Sequence, residues 1–176
     1  MTLNFKEKLK NVKAFVFDVD GVFSNTFVVE KDADLLRFMN AKDGFAVRYA
    51  IEQGYIVGII SGGVSESVRL RFNKLGISDV YLGSRHKIDD FEDFYFKYNL
   101  KPDEILYMGD DLPDYEVLSK SGISTCPADA VREILEICEY VSDKNAGEGC
   151  VRDVIEQVLR AQEKWNYLKQ NIAIFA

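Results

Sequence analysis

The stretch FVFDVDGV, residues 15–22, sets an apolar run directly against two aspartates one residue apart, and then a glycine. Val16, Phe17 and Val19 are residue types of a buried strand, whereas Asp18 and Asp20 bring negative charge to the edge of that core. A charge in such a place costs on the order of several kcal/mol unless it is paired or bound to a cation. The stretch therefore predicts a buried strand, AFVF (14–17), with a compensating group just beyond its carboxyl end.

Working outward, similar short apolar runs recur as YIVGII (55–60), VYL (80–82), EILYM (104–108) and a weaker ISTC (123–126). Most are too continuous for half-exposed strands and too short for helices, as expected of strands buried on both faces of a parallel sheet. Helical stripes lie between them. Phe45, Val47, Ala50 and Ile51 precede Gly54; Val68, Leu70, Phe72 and Leu75 precede Gly76. Ile88, Phe91, Tyr95 and Tyr98 form a third stripe, Pro113 suits a first helical turn ahead of Val117 and Leu118, and a last helix runs from Cys150 to Trp165. The alternation predicts an α/β three-layer sandwich with a mostly parallel central sheet and right-handed crossovers. Two segments depart from it. TFVVEKDADLLRFMNA (26–41) reads as a β-hairpin between the first strand and the first helix, and the chain closes on the apolar WNYLKQNIAIFA. The expected organisation is one domain over 1–176, with a hairpin flap at 24–42 and a tail at 165–176.

Composition narrows the partners. The 176 residues carry a formal charge of −7 with no basic stripe, which argues against nucleic acid or an anionic membrane surface. Cys126, Cys138 and Cys150 form no CxxC pair and read as reduced thiols of a cytoplasmic protein rather than a disulfide framework or zinc site. MTLNFKEKLKNVK lacks the apolar core of a signal peptide, and no uncharged apolar run approaches the roughly 18 residues of a membrane span.

Ligands of parallel α/β sheets bind beyond the carboxyl ends of the strands, so the residues just after each run carry the chemistry. Asp18 and Asp20 come after the first run, Ser61-Gly62-Gly63 after the second, Lys87 beyond the third, and Gly109-Asp110-Asp111 with Asp114 after the fourth. Asp18, Asp20 and Asp110 supply hard oxygen ligands of the kind Mg²⁺ prefers. Ser61, the amides of Gly62 and Gly63 and the start of the next helix suit phosphate oxygens, with Lys87 as a point charge beside them. A carboxylate so placed can attack phosphorus while its neighbour protonates the leaving alcohol and then deprotonates water. Asp18, held directly by the strand, is the better nucleophile and Asp20 the better acid/base.

DVDG, Ser61, Lys87 and GDDLPD resemble, in order, the four motifs of the haloacid dehalogenase (HAD) superfamily of phosphotransferases. DVDGVFSN, KDGFAV, IISGG, RLRFNKLGI, YMGDDLPD and AGEGCVRDVIEQVL resemble, within it, the phosphatases of 3-deoxy-D-manno-octulosonate 8-phosphate (KDO 8-phosphate), which serve lipopolysaccharide inner-core biosynthesis. The resemblance implies a HAD-like, Rossmannoid fold and a Mg²⁺-dependent, tetrameric cytoplasmic phosphatase acting on a sugar phosphate through an aspartyl-phosphate. It implies Asp18 as nucleophile, Asp20 as acid/base that also gives the metal a main-chain carbonyl, Asp110 as a metal carboxylate, and Asp111 in support. Asp114 reads equally as a favourable charge at a helix N-terminus or as a loop-shaping group.

Three positions depart from the resemblance. Gly63 stands where many members have arginine, His86 where an aspartate is usual, and Asn25-Thr26 where Asp-Gly is common. Arg69 or Arg71 is the candidate substitute for the missing arginine. Only the hairpin comes after the first motif, and about 25 residues separate Ser61 from Lys87, so there is no room for a cap domain. An uncapped site needs walls from neighbouring subunits, which predicts a homo-oligomer built on the hairpin, with the tail reaching a neighbour's site. The alternatives are a phosphatase for a nine-carbon 2-keto sugar acid 9-phosphate, a signalling receiver domain, and a non-catalytic interaction module. Taken singly, each motif has a plainer reading: Asp18 a turn residue, Ser61-Gly62-Gly63 a strand-to-helix turn, Lys87, Arg69 and Arg71 solvated helix charges.

Overall fold

The computed structural model describes residues 4–29 and 35–167. After a short helix α1 (Phe5–Leu9), the opening stretch forms β1 (Ala14–Phe17), buried along its whole length. Its side chains alternate between two cores. Phe15 and Phe17 enter one, Ala14 and Val16 the other. This two-sided burial is why the run is continuously apolar, each large side chain gaining about 1.5–3 kcal/mol from leaving water.

The chain then makes a small antiparallel hairpin, β2 (Phe27–Val28) with β3 (Leu36–Arg37). Helix α2 (Ala41–Glu52) comes next, capped by the Asn40 side chain on the Lys42 amide. It leads to β4 (Ile56–Ser61), α3 (Glu66–Leu75), β5 (Asp79–Leu82) and α4 (Lys87–Lys97). Helix α3 stops at Gly76, whose φ of +96° suits a residue without Cβ. The chain continues through β6 (Ile105–Met108), α5 (Tyr115–Lys120), β7 (Ile123–Cys126), α6 (Arg132–Ile137), β8 (Tyr140–Val141) and α7 (Cys150–Ala161).

The main sheet has the order β5-β4-β1-β6-β7-β8, with every neighbouring pair parallel. Helices α2, α3 and α7 cover the Phe15/Phe17 face, and α4, α5 and α6 the Val16 face. From β1 the chain builds β4 and β5 to one side and then crosses to β6 on the other. Strand order therefore reverses about β1, where a crevice opens at the carboxyl ends. Among the described residues there is no cap domain, and no helix is long and apolar enough to cross a membrane.

The expected strands, hairpin and helices are present, with adjustments that have local causes. Pro113 lies in a 3₁₀ turn, Leu112–Asp114, that leads into α5 rather than inside the α-helix itself. Helix α7 ends at Ala161, before Trp165, because Glu163 takes a left-handed φ of 58° and folds the chain back onto Leu159. Trp165 and Tyr167 then stand edge-on to Phe45 and Tyr49 of α2. The remainder of the expected tail, 168–176, lies outside the described residues, as do hairpin residues 30–34.

Candidate active site

Asp18 is the first residue past β1, and its amide still donates to the Met108 carbonyl of β6 at 3.0 Å. The ladder thus fixes its backbone. Its carboxylate accepts from the Val19 amide at 2.6 Å and faces Lys87 Nζ at 2.7 Å, and only 7% of the residue is exposed. The chain must then turn away sharply. It does so through Gly21, at φ +84°, whose amide donates to the Ser24 carbonyl at 2.7 Å.

The other strand ends converge on the same place. Ser61 closes β4, and its Oγ accepts from the Gly63 amide at 3.2 Å, curling the turn into a cradle. Lys87 opens α4 and is 6% exposed, its ammonium lying 2.7 Å from both Asp18 and Asp114. Beyond β6, Asp18, Asp110 and Asp114 each place a carboxylate oxygen within 4.8 Å of the others. Together with Asp20, Gly62, Gly63 and Asp111, these residues line a cleft of about 480 Å³. A larger cavity, about 670 Å³, sits at the opposite, amino ends of the strands among Lys10, Tyr55 and Leu100; of the described residues only Asp103 and Glu104 bring acid to it, and they form no cluster like that of Asp18, Asp110 and Asp114.

The three carboxylates are not equivalent. Asp114 is fully buried with both oxygens engaged: Oδ1 accepts from Lys87 at 2.7 Å and from the Tyr107 hydroxyl at 2.5 Å, and Oδ2 from the amides of Asp110 and Asp111 at 3.2 and 3.5 Å. It shapes the loop. Asp110, by contrast, accepts no hydrogen bond among the described residues, and its oxygens face Gly21 and Asp18. Burial, and next the charge of Asp114, raise Asp110 to about 7 and Asp18 to about 8. Burial alone would lower Lys87, but Asp18 and Asp114 hold it above its ordinary value. Burial, then Asp114 and Asp18, push Tyr107 well up. One buried ammonium does not balance three carboxylates, so without a further cation the cluster retains protons.

That surplus is the test of a metal. Asp18 and the uncommitted Asp110 offer hard oxygens beside an open cleft, the donor set expected of a Mg²⁺ site. Asp114 is near enough to join them but is spent on other partners. The Asp20 carboxylate is not in this cluster. It turns to the hairpin, where it faces Arg37 in a two-point ion pair at 2.6 and 2.9 Å.

Of the remaining sequence candidates, Arg69 is not brought to the cleft: its Nη1 donates to the Val80 carbonyl at 2.7 Å and its Nε faces Glu66 at 3.3 Å. Arg71 lines a neighbouring groove with Arg37, Met39 and Val68, its guanidinium over Gly44. The sequence reading missed Arg37, Tyr107, Ser84 and Arg85. The last two line the cleft on the loop before Lys87, and Ser84 Oγ is buried without a hydrogen-bond partner among the described residues. Their adjacency to Lys87 was the available signal; for Arg37 and Tyr107 there was none.

Comparison with known proteins agrees with this architecture. A haloacid dehalogenase-like hydrolase family model matches residues 64–155. The 3-deoxy-D-manno-octulosonate 8-phosphate phosphatase KdsC of Escherichia coli K12 is 34% identical over 92% of this chain and 87% of its own length. The crystal structure of a phosphatase of that name from Yersinia pestis superposes with a TM-score of 0.88 at 31% identity, over 90% of this chain and 86% of the other. A Moraxella catarrhalis phosphatase of the same name, in complex with magnesium, phosphate and KDO, superposes with a TM-score of 0.89 at 28% identity, covering 97% of each chain.

Proposed function

The chain belongs to the haloacid dehalogenase-like hydrolase family, and from that premise we propose that it is a Mg²⁺-dependent phosphatase releasing phosphate from KDO 8-phosphate in the cytoplasm. The observation that carries the reading is the pairing of a rigidly held Asp18 with the uncommitted carboxylate of Asp110, across a cleft walled by Ser61, Gly62 and Lys87.

Asp18 attacks phosphorus and becomes the aspartyl-phosphate. Val19 and Lys87 keep its carboxylate from rotating out of line. Ser61 and the amides of Gly62 and Gly63 receive the phosphoryl oxygens, and Lys87 offsets their charge. Asp20 donates a proton to the departing sugar hydroxyl and takes one from the water that clears the intermediate. Asp18, Asp110 and the Asp20 main-chain carbonyl would hold Mg²⁺, with Asp111 and Asp114 orienting the loop. When bound, the ion neutralises the clustered carboxylates and draws charge from the transferring group. Arg71, in the adjoining groove, is the candidate for the sugar acid's carboxylate.

The hairpin supports a homo-oligomeric, expectedly tetrameric, assembly. Val29, Leu36 and Phe38 are 76%, 55% and 68% exposed, an apolar surface that water alone covers poorly. On this reading neighbouring hairpins pack together and neighbouring tails wall the open sites.

Phosphate release from purified KDO 8-phosphate and from a nine-carbon 2-keto sugar acid 9-phosphate, with and without Mg²⁺, tests the assignment. The eight-carbon substrate is expected to turn over faster, EDTA to stop the reaction reversibly, and Asp18→Asn to abolish it. Preference for the nine-carbon substrate would reassign the sugar, and activity surviving Asp18→Asn would remove the mechanism.

A further inference from the structure

We propose that Arg37 is a positioning residue of the active site, its guanidinium carried in by the hairpin to fix the Asp20 carboxylate beside the Ser61–Gly63 turn. The proposal rests on the phosphatase reading above and adds a residue to it. Arg37 lies on β3 between Leu36 and Phe38, which are 55% and 68% exposed, yet its own side chain is 5% exposed. Its Nε and Nη2 meet the two oxygens of Asp20 at 2.6 and 2.9 Å, and Nη1 donates to the Leu35 carbonyl at 3.1 Å. The Phe27 ring on the partner strand lies 6.0 Å away and limits its movement.

A partly buried ion pair is by itself weak evidence of a contribution to stability, so its position on the fold carries the argument more than its existence. This pair sits on the carboxylate two residues past the nucleophile. The space left by Gly63 shows where the guanidinium reaches. A Cβ at position 63 would lie 3.4 Å from Arg37 Nη2, 3.5 Å from Ser61 Oγ and 3.6 Å from Asp20 Oδ2. The fork, the acid/base carboxylate and the phosphate-binding hydroxyl thus surround one point. A carboxylate with a third of its side chain in solvent has several rotamers open to it; a planar two-point fork selects one, which a single ammonium does not do. The hairpin is therefore part of the catalytic apparatus of its own subunit as well as an apolar surface.

The test is a double-mutant cycle on purified Arg37→Ala, Asp20→Asn and the double variant, assayed with Mg²⁺ on KDO 8-phosphate and on 4-nitrophenyl phosphate. The aryl ester's good leaving group keeps the Asp20 variants measurable. Arg37→Ala is expected to lower kcat about 10- to 100-fold, a fraction of the roughly 10²–10⁴-fold that general acid–base groups supply, with KM within about twofold. Arg37→Lys is expected to recover part of that loss. In the Asp20→Asn background, Arg37→Ala is expected to cost less than about threefold, because the group it positions is already gone. Full multiplication of the two losses, or a raised KM with kcat unchanged, would overturn the proposal, since either makes Arg37 act independently of Asp20. Crystal structures of the wild type and of Arg37→Gln supply a readout free of activity: an Asp20 carboxylate in the same place in both also overturns it. A wild-type enzyme that hydrolyses neither ester would sink the phosphatase reading, and the paired structures would still decide the role of Arg37.

Discussion

Replacing Gly21 with alanine isolates the link between the first motif's turn and the proposed metal site. A Cβ at position 21 would fall 1.9 Å from Asp110 Oδ2 and 2.1 Å from its Cγ, so the carboxylate would have to retreat by about 1.5 Å to reach ordinary contact. A left-handed φ of +84° adds about 1–2 kcal/mol of backbone strain for alanine. In a chain of 176 residues that strain lowers Tm by about 2–8 °C, so the protein still folds. The site does not tolerate the change as well, because ligand distances in a metal site hold to within about 0.2 Å. The expected result is a much higher half-saturating Mg²⁺ concentration and a kcat lowered by about 100-fold, the cost of a displacement of about 1 Å. Melting curves with and without Mg²⁺ complement the assay. Saturating ligand raises the Tm of the wild type, whereas Gly21→Ala is expected to gain almost nothing. Wild-type Mg²⁺ dependence in Gly21→Ala would refute the claim that Asp110 needs the space a glycine leaves.

Lys87→Met leaves Asp18 and Asp114 buried without their shared cation, and is expected to destabilise the metal-free protein by about 3–5 kcal/mol in urea unfolding. Unchanged stability would mean that the ion pairs are not compensating the cluster. In EDTA, Tm is expected to fall as pH rises from about 4 to about 8: unfolded carboxylates lose their protons near pH 4, whereas folded Asp110 and Asp18 keep theirs to about 7 and about 8. Saturating Mg²⁺ is expected to flatten that slope by displacing the protons, and a Tm that rises with pH in EDTA would contradict it. Phe38→Glu puts a charge on the exposed face of the hairpin and is expected to shift the mass seen by light scattering towards the monomer; an unchanged mass places the subunit contact elsewhere.

The parts of this fold legible in the sequence are those where burial leaves a run of one character. AFVF, YIVGII and ILYM (105–108) carry no charged residue because helices cover both faces of the sheet, and each leads into a polar group at the matching strand end. Strand β8 and helix α6, two and six residues long, are too short for a periodic signal, and β8 is only half-buried. Arg37 was invisible for another reason. Its role depends on a hairpin folding back across the turn after β1, a tertiary event with no local pattern, and in the sequence it is one arginine beside an exposed phenylalanine. Arg69, offered with Arg71 as a substitute for the arginine absent at position 63, lies on a helix that turns its guanidinium towards β5 instead.

The arrangement after β6 explains why the fourth motif spaces its acids as it does. In GDDLPD the last aspartate is four residues beyond the first, across a single 3₁₀ turn begun at Leu112-Pro113. That turn brings Asp114 back beneath Asp110, where it collects the Asp110 and Asp111 amides, the Tyr107 hydroxyl and Lys87. Gly109 leaves the room for it, since a Cβ there would lie 2.3 Å from Asp114 Cγ. A carboxylate so fully engaged cannot also be a good ligand for an exchangeable ion. Its charge nevertheless adds to burial, the larger cause, in raising the proton affinity of Asp18 and Asp110, which makes the cluster unfavourable on its own and a divalent cation its natural complement. Asp114 therefore does two things with one charge: it anchors the lysine that also pairs with Asp18, and it leaves the neighbouring aspartate as the unbalanced one.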